Sequence, residues 1–371
     1  MSITYGNLST YPPTQCGLAT FSKALVDSLR SARDMVEVVS VVDTASGLAG
    51  GEVGHEWVRG TSGVAAAAAL NRLDVAIIQH EYGIFAGRDG ADVLDVVRAL
   101  WVPTIVVLHT VLVTPSARQR SILEELARNA VAVVTMTQTA RQRLVEHYTV
   151  DPSKIRVIPH GAVDNRGAPA PMSTPPVILT WGLLGEGKGI EWAIDAMADL
   201  ADLRPTPRYH VVGQTHPRVL EQHGNQYRDR LIRQAAALRV DVAFDSRYLE
   251  SADLRRLVQR ADVILLPYDS REQVTSGVLI EAIATGKPVV STAFPHAREL
   301  LASGAGLVVP RQSPAAIAAA LRRVLTEPGL ASRMAAEARR IAPELLWPAV
   351  AEQYRDIAAG ALSAGKVRAT A

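Results

Sequence analysis

Short apolar segments alternate with amphipathic segments along most of the chain, and this alternation constrains the fold more than any other feature. The apolar segments of the first half are VEVVSVV (36–42), VAIIQHE (75–81), PTIVVLHT (103–110), AVAVVTM (130–136) and IRVIPHG (155–161). Their length and composition are typical of strands buried on both faces, and the segments between them have helical spacing. The order strand–helix–strand predicts a doubly wound parallel α/β sheet.

The pattern stops in a Pro-, Gly- and Ala-rich stretch and then starts again, which predicts two domains. The segments of the second half are VILTWG (177–182), RYHVVG (208–213), VDVAFDS (240–246), ADVILLPY (261–268), KPVVST (287–292) and GAGLVVP (304–310). We place the first Rossmann-like domain at 1–165, the linker at 166–176 and the second domain at 177–345. A chain of 371 residues is long enough for two cores. With two facing α/β domains, the ligand site is expected in the cleft between them.

The composition excludes several classes of protein. Hydrophobic residues make up 48% and charged residues 20% of the chain, and the formal net charge is +2, which predicts a globular protein without the strong positive field of a nucleic-acid binder. The single cysteine, Cys16, excludes an internal disulfide and fits a reducing compartment. We find no secretory signal pattern and no apolar run of roughly 18 to 20 residues, so we expect a cytoplasmic protein.

Polar side chains end several of the predicted strands of the first half. His80 and Glu81 end one strand, His109 ends the next, and His160 ends the last. Ligands of open α/β sheets bind beyond the carboxyl ends of the strands, so these positions are candidates for function, although a single histidine is more often structural. Gly17 precedes the first predicted helix and would allow a ligand to approach the backbone there.

A glycine-rich turn follows the first strand of the second half. The segment GLLGEGKG nearly matches the P-loop pattern, with Gly182, Gly187 and Lys188 in place, but Gly189 stands where a magnesium-binding Ser or Thr is required. Exposed backbone N–H groups, a helix dipole and a lysine charge still suit a diphosphate. The alternative is a structural turn with an incidental lysine.

The segment QVTSGVLIEAIATGKPVV (273–290) has the order loop, helix, tight turn, strand. Ser276 and Gly277 mark the start of the helix, and Glu281 lies one turn inside it. From there a carboxylate can accept two hydroxyl hydrogen bonds, as a ribose diol would offer. Gly286 ends the helix. A solvated helix glutamate is the alternative for Glu281 alone, but the full order of residues favours a ligand site.

In their order, these motifs resemble the retaining glycosyltransferases of family 4, which have the two-domain GT-B fold. The resemblance covers most of the chain and includes GLLGEGKGIEWAIDA, VTSGVLIEAIATGKPVV, His109 in VVLHT and the segment VIPHGAVD. The segment ELLWPAVAEQYRDI (344–357) resembles the C-terminal helix that returns to the first domain, and we place it at 346–365. QHEYGIF and EQVTSGVL resemble a bacterial subgroup of these enzymes.

The resemblance implies transfer of a sugar, with retention, from a nucleotide-diphosphate sugar to an acceptor hydroxyl. Lys188 and the backbone N–H groups of Ser276, Gly277 and Val278 would bind the diphosphate, together with Gly17 and Gly182. Glu281 would bind the ribose, and His109 would approach the transferred sugar. A front-face mechanism needs no protein nucleophile, and we expect no cofactor and no divalent metal.

Two positions depart from the family pattern. Gln273 stands where the family usually has a glutamate that contacts the sugar, so it keeps a hydrogen-bonding group and loses the charge. Leu183 stands where the family often has an arginine that pairs with the diphosphate. Lys188 would therefore bind the diphosphate without that second positive charge. We therefore retain Gln273, with His109, as a candidate catalytic residue.

The acceptor side is expected in the first domain, around His80, Glu81 and Tyr82. The acceptor class stays open between a carbohydrate, a lipid and a small molecule, and no nucleic-acid partner is expected. Three arginines of one predicted helix suit either weak peripheral contact with anionic lipid or a solvated face; they are Arg118, Arg120 and Arg128.

Other functions fit the sequence less well. The chain has no Asp-x-Asp motif of a metal-dependent GT-A enzyme, and no G-x-G-x-x-G of a dehydrogenase follows a strand. A non-catalytic nucleotide-sugar-binding protein, or a GT-B epimerase or phosphorylase, remains the alternative because these share the fold.

Overall fold

The computed structural model describes residues 2–45, 47, 50–167, 171–249 and 251–369. These residues form two compact units, one of residues 1–161 with 347–371 and one of residues 162–346. Residues 162–165, which we assigned to the first domain, therefore belong to the second unit. Part of the predicted linker, 168–170, lies outside the described residues.

The first unit contains a seven-stranded sheet in which all pairings are parallel. Its strands are β1 (Thr4–Ser9), β2 (Met35–Val42), β3 (Val53–Val58), β4 (Val75–His80), β5 (Thr104–Leu108), β6 (Ala132–Thr135) and β7 (Ile155–Val157). The spatial order is β3-β2-β1-β4-β5-β6-β7, so the strand order reverses between β1 and β4. The predicted doubly wound sheet is confirmed, although β1 and β3 were not predicted.

Strand β1 was not predicted from the sequence because it does not have the composition of a buried strand. Asn7 and Ser9 are buried polar residues in it, 1% and 0% exposed. A Cβ on Gly6 would lie 2.5 Å from Cδ2 of Leu70 and displace that side chain. A polar, glycine-containing segment lacks the Val- and Ile-rich pattern on which the other assignments rest.

The described residues of the first unit form six α-helices. They are α1 (Gly17–Ser31), α2 (Val64–Leu70), α3 (Val93–Ala99), α4 (Ala117–Asn129), α5 (Gln138–His147) and, from the end of the chain, α14 (Trp347–Ala369). Helix α14 packs on α1, and its Val350 and Tyr354 lie in one apolar core with Phe21 and Leu25. The helix predicted for 346–365 is thus present and packs on the N-terminal unit, as the resemblance implied.

The second unit contains a six-stranded parallel sheet. Its strands are β8 (Val177–Trp181), β9 (Arg208–Val212), β10 (Val242–Asp245), β11 (Val263–Leu266), β12 (Val289–Thr292) and β13 (Gly306–Val309), in the order β10-β9-β8-β11-β12-β13. Its helices are α6 (Ile190–Ala198), α7 (Pro217–His223), α8 (Gln226–Leu238), α9 (Ser251–Arg260), α10 (Gly277–Ala284), α11 (Pro295–Leu301), α12 (Pro314–Thr326) and α13 (Leu330–Ile341). All six strands were predicted.

The strand order fixes where each sheet presents a crevice for a ligand. In an open α/β sheet, connections leave the carboxyl ends of adjacent strands in opposite directions at the point where the order reverses. That point lies between β1 and β4 in the first unit and between β8 and β11 in the second. Most candidate site residues of the sequence lie at or after the ends of these four strands, and His109 follows the neighbouring strand β5.

Candidate functional site

The glycine-rich turn after β8 is shaped by backbone contacts that only glycine permits. Gly189 has a φ of +65°, and a Cβ there would lie 1.9 Å from the carbonyl oxygen of Pro267. A Ser or Thr at this position would collide with the chain after β11. The turn therefore cannot carry the magnesium-binding hydroxyl of a P-loop, and the departure noted in the sequence has a steric cause.

Lys188 lies at the end of this turn above an aromatic ring. Its Nζ is 4.4 Å from the ring centroid of Tyr268, which follows β11. Tyr268 is 1% exposed and stacks on Phe294 with centroids 5.3 Å apart. Burial lowers the pKa of Lys188, while the electron-rich face of the ring favours its charged form. Because burial removes water from the ammonium group of Lys188, an anion that contacts this group would bind favourably.

The start of α10 presents two backbone N–H groups without a partner. Ser276 is the N-cap, and its Oγ accepts a hydrogen bond of 3.2 Å from the N–H of Leu279. The N–H of Ser276 donates to Nδ1 of His296 at 2.9 Å. Among the described residues, no hydrogen bond engages the N–H of Gly277 or of Val278. Of the three backbone N–H groups predicted to bind the diphosphate, only those of Gly277 and Val278 are available in the described structure, because the N–H of Ser276 already donates to His296.

The turn and the helix start lie on one surface of the second unit. Tyr268 connects them, because its ring contacts Lys188 and its hydroxyl forms a hydrogen bond with the Ser276 side chain. A Cβ on Gly182 would lie 3.7 Å from Cγ2 of Val278. The sequence required that Lys188 and Ser276 share a site, and the structure brings them together.

Glu281 is not a solvated surface glutamate. Burial raises its pKa to about 7, and a hydrogen bond from the side chain of Trp181 acts in the opposite direction. The indole of Trp181 can only donate, so the carboxyl accepts from its N–H. Trp181 ends β8 and is 5% exposed. The carboxyl of Glu281 is therefore held beside the end of β8, at the crevice of this sheet.

Gln273 lies in the loop before α10. Its backbone N–H donates to Oγ of Ser270 at 3.1 Å, and its side chain is half-buried. Two residues later, the hydroxyl of Thr275 is buried and has no hydrogen-bond partner among the described residues. A buried hydroxyl without a partner is expected where a ligand supplies the missing bond. Contact between Gln273 and a sugar stays a prediction.

His109 follows β5 in the first unit, and among the described residues its side chain makes one hydrogen-bond contact. Its Nε2 lies 2.9 Å from Oε1 of Gln79, and the ring of Phe21 meets it edge-on with centroids 4.8 Å apart. Burial, with smaller contributions from His160 and His80, lowers the pKa of His109 to about 3. The imidazole is therefore neutral near pH 7, which suits a hydrogen-bonding role rather than an acidic one.

Gly17 begins α1, directly after the N-cap Cys16, whose Sγ accepts a hydrogen bond of 3.4 Å from the N–H of Ala19. A Cβ on Gly17 would meet no heavy atom within 4 Å. Protein packing within the described chain therefore does not require glycine at this position. The predicted approach of a ligand to this helix start gives a reason for it and stays a prediction.

The three predicted acceptor-side residues have different environments. His80 is 0% exposed, neither ring nitrogen has a partner among the described residues, and burial lowers its pKa to about 4. This burial argues against direct contact between His80 and an acceptor. The carboxylate of Glu81 accepts a hydrogen bond from the hydroxyl of Thr110, and the hydroxyl of Tyr82 lies 3.3 Å from the carbonyl of Gln119. Glu81 and Tyr82 stay candidates.

Four residues of the site were not found from the sequence: Tyr268, Trp181, His296 and Gln79. Three of them stand inside or at the end of segments that we assigned only as strands, and the position at the carboxyl end of a strand is the signal that could have singled them out. His296 lies inside α11, in PHARELL, where nothing in the local sequence indicates its contact with Ser276.

A separate cavity of about 400 Å³ lies in the second unit against the outer face of α9. It is lined by Asn165, Ala252, Arg255, Arg256, Gln259 and Arg260. None of these belongs to the predicted site. Within the described residues, no helix is long and apolar enough to span a membrane, and no three His, Cys, Asp or Glu side chains are grouped as metal ligands.

Known proteins match both halves of the chain. A family model described as Glycosyltransferase Family 4 matches residues 17–166, and one described as Glycosyl transferases group 1 matches residues 164–341. A D-inositol 3-phosphate glycosyltransferase of Corynebacterium aurimucosum is 27% identical over 92% of this chain and 86% of that protein. One of Kineococcus radiotolerans is 29% identical over 63% of this chain, which spans 58% of that protein.

Solved structures show the same architecture. Anabaena Alr3699/HepE, described in complex with UDP and glucose, has a TM-score of 0.75 and 19% identity over 96% of this chain and 100% of that one. Sucrose-phosphate synthase from Thermosynechococcus elongatus has a TM-score of 0.73 and 18% identity over 97% of this chain and 100% of that one. With two parallel α/β units, and with glycosyltransferase family models that together match residues 17–341, the chain belongs to the family 4-type glycosyltransferases with the GT-B fold.

Proposed function

We propose that this glycosyltransferase moves a hexose from a nucleoside-diphosphate sugar to an acceptor hydroxyl with retention at the anomeric carbon and without a divalent metal. The observation that carries the proposal is the surface formed by Lys188, the N–H groups of Gly277 and Val278, and Tyr268 between them. One cation and two amide donors at a helix start match the diphosphate that leaves in this reaction.

The proposed catalysis is mainly electrostatic. As the glycosidic bond to the diphosphate breaks, negative charge grows on the leaving phosphate and the sugar becomes oxocarbenium-like. Lys188 and the two N–H groups are fixed before the reaction, so they stabilise that charge without reorganising. They take the place that a magnesium ion has in metal-dependent transferases, which is the basis for proposing a metal-independent reaction.

Glu281 is proposed to bind the ribose diol. Its carboxyl lies one turn inside α10, and the Trp181 indole occupies part of its accepting capacity. The remaining lone pairs of the carboxylate suit two hydroxyl donors. Gln273 and Thr275, in the loop before α10, are proposed to contact the sugar.

His109 is proposed to hydrogen-bond a hydroxyl of the transferred sugar as a neutral imidazole. Front-face departure, in which the leaving phosphate helps to deprotonate the acceptor, requires no protein nucleophile. The acceptor is proposed to be a phosphorylated polyol or sugar, because the relatives include proteins named D-inositol 3-phosphate glycosyltransferase and mannosylfructose-phosphate synthase. Glu81 and Tyr82 are the proposed acceptor-side residues.

A non-catalytic nucleotide-sugar-binding protein, or an epimerase or phosphorylase of the same fold, is the second candidate. The observation that favours it is Gln273, an uncharged residue where the family usually has a carboxylate. The non-catalytic protein predicts donor binding without transfer or hydrolysis.

The test is turnover of UDP-, GDP- and ADP-hexoses with a panel of inositol and hexose phosphates, with and without a chelator. UDP-glucose is the first donor, because HepE is described with UDP and glucose. We expect transfer that the chelator does not abolish and a product whose anomeric configuration, measured by proton NMR, equals that of the donor. Inversion, or loss of activity in chelator that magnesium restores, contradicts the mechanism. Donor binding without transfer or hydrolysis for every pair supports the non-catalytic nucleotide-sugar-binding protein.

A further inference from the structure

A row of buried polar side chains crosses the apolar face of the first unit's sheet. In the register of β1, β4 and β5, Asn7 pairs with Ile77 and Gln79 pairs with Val107. Successive side chains of a strand alternate between the faces of a sheet, so Asn7 and Gln79 share a face with Ile77 and Val107, which belong to the core beneath α1. Asn7 is 1% and Gln79 is 0% exposed.

Hydrogen bonds join this row to His109. Nε2 of Gln79 donates to Oδ1 of Asn7 at 3.2 Å, and Oε1 of Gln79 lies 2.9 Å from Nε2 of His109. The oxygen of an amide carries no proton, so in this orientation of Gln79 the proton of the contact belongs to Nε2 of His109. In a neutral imidazole, a proton on Nε2 leaves Nδ1 as a hydrogen-bond acceptor.

No other group in the described chain fixes the proton of His109. The titratable groups that face it are His80 and His160, and both disfavour its protonation. Phe21 contacts the ring edge-on and orients it without exchanging a proton. Nδ1 makes no hydrogen bond with the described residues. Among the residues that the structure describes, Gln79 is therefore the single partner that distinguishes the two ring nitrogens.

The buried polar side chains of Asn7 and Gln79 lower the stability of the folded protein relative to an apolar core. Nδ2 of Asn7 is buried without a partner in the described chain, and an unsatisfied buried donor costs about 1–3 kcal/mol. Apolar residues of similar volume would fill the same sheet face without that cost. The row lies where β1, β4 and β5 end, beside the reversal of strand order between β1 and β4. Destabilising buried polar groups at a ligand-binding edge indicate a role in the site.

We propose that Gln79, anchored by Asn7, is a positioning residue that holds His109 as the Nε2–H tautomer and so leaves Nδ1 to accept a hydrogen bond from a hydroxyl of the transferred sugar. This inference rests on the proposed function for the identity of the ligand. Gln79 itself touches neither donor nor acceptor. It acts through His109, whose ring it orients and whose acceptor nitrogen it selects.

The first experiment measures the tautomer directly in the wild-type protein. Two-bond nitrogen–proton correlation spectra of ¹⁵N-histidine-labelled protein, with His109 assigned by its absence from His109→Ala, distinguish Nε2–H from Nδ1–H. We expect the Nε2–H pattern between pH 6 and pH 8. A dominant Nδ1–H pattern, which would mean that Gln79 donates to the ring, overturns the inference without the need for any variant of Gln79.

The second experiment uses two substitutions of Gln79 and one control. Gln79→Met keeps the side-chain length and removes the hydrogen bond, so both tautomers should appear. We expect kcat to fall about 10- to 100-fold while the Kd of the nucleoside diphosphate is unchanged. Ser22→Ala, which removes a buried hydroxyl without a partner in the described chain from α1, should leave kcat and the His109 spectrum as they are.

Gln79→Glu supplies the readout that a merely structural residue would not change. Its carboxylate keeps an acceptor at Nε2 and raises the pKa of His109, whose other titratable neighbours are His80 and His160. Protonated His109 has no acceptor nitrogen, so kcat of this variant should fall at low pH and recover as the pH rises. In wild type, kcat should not show this fall at low pH in the range above pH 5.

The outcomes separate this inference from the proposed function. If wild type transfers sugar and Gln79→Met changes neither the tautomer nor kcat, the inference is wrong. If the tautomer responds as expected but wild type transfers no sugar from any donor, the proposed function fails, and the control of His109 by Gln79 stands.

Discussion

Replacement of Glu281 by glutamine should weaken donor binding and, at the same time, stabilise the protein at high pH. The pKa of Glu281 is raised from its ordinary value of 4.5 to about 7 because the carboxyl is buried. The folded protein therefore binds the proton more tightly than the unfolded chain. The free energy of unfolding that comes from this group is fully present below about pH 4.5 and is lost as the pH rises towards 7 and above.

The magnitude follows from the two pKa values. Between pH 5 and pH 8, a fully enclosed carboxyl with these values loses about 2.5 kcal/mol of unfolding free energy. Glu281 is only partly buried in the second unit, so solvent reduces the expected loss to about 1–2 kcal/mol. A glutamine side chain has the shape of the protonated acid and does not titrate, so Glu281→Gln avoids this loss.

The assay is urea unfolding of wild type and Glu281→Gln at pH 5 and pH 8, with isothermal titration of a nucleoside diphosphate sugar at both. The stability of the variant relative to wild type should rise by about 1–2 kcal/mol between the two pH values, while its affinity for the donor falls. Glu186→Gln is the matched control, because its side chain is 78% exposed and the substitution removes the same charge at the surface. A Glu281→Gln difference that is the same at both pH values refutes the burial argument. Intact donor affinity refutes the ribose assignment.

Four further predictions concern single residues. Lys188→Ala should weaken nucleoside-diphosphate affinity about 10- to 100-fold by titration calorimetry, whereas Lys287→Ala should not, because Nζ of Lys287 donates to the carbonyl of Gln259 at 2.7 Å; equal effects would remove Lys188 from the phosphate site. Gly189→Ser should destabilise the protein by more than about 2 kcal/mol in urea because of the clash with the chain after β11, and a stable variant would contradict the φ of +65° at this position. His109→Ala should lower kcat with little change in nucleotide affinity, and equal losses in both would contradict its proposed contact with the transferred sugar. Between pH 7.5 and pH 5, wild type should lose about 2 kcal/mol of unfolding free energy because of His80, and His80→Leu should not show this loss. The folded pKa of His80 is about 4, so only the unfolded chain takes up a proton at this residue as the pH falls below 6.5. If the variant and wild type lose the same stability in acid, the burial of His80 is contradicted.

The periodicity of the sequence determined the architecture. Eleven segments assigned as strands from apolar runs are all strands in the two sheets, since a strand buried on both faces must be apolar along its length. The two missed strands are those that break this rule. Strand β1 carries Asn7 and Ser9 in its buried positions, and β3 is an edge strand in which Trp57 alone is buried.

The order of motifs in the second half determined the candidate site there. Glycines in the turn after β8, and Ser276 with Gly277 at the start of α10, are dictated by local backbone geometry, which short sequence patterns record. Because β8 and β11 are neighbours in the sheet, the two motifs had to converge once the strand order was known.

Only the tertiary structure decided what each of these residues can do. The contacts that set their chemistry join positions far apart in the chain: Ser276 with His296, Gln79 with His109, and Glu281 with the side chain of Trp181. Burial then raises the pKa of Glu281 and lowers those of the histidines, because removal of water penalises the charged form. A sequence specifies which groups are present, but distance and solvent exposure, which govern proton affinity and hydrogen bonding, exist only after the chain has folded.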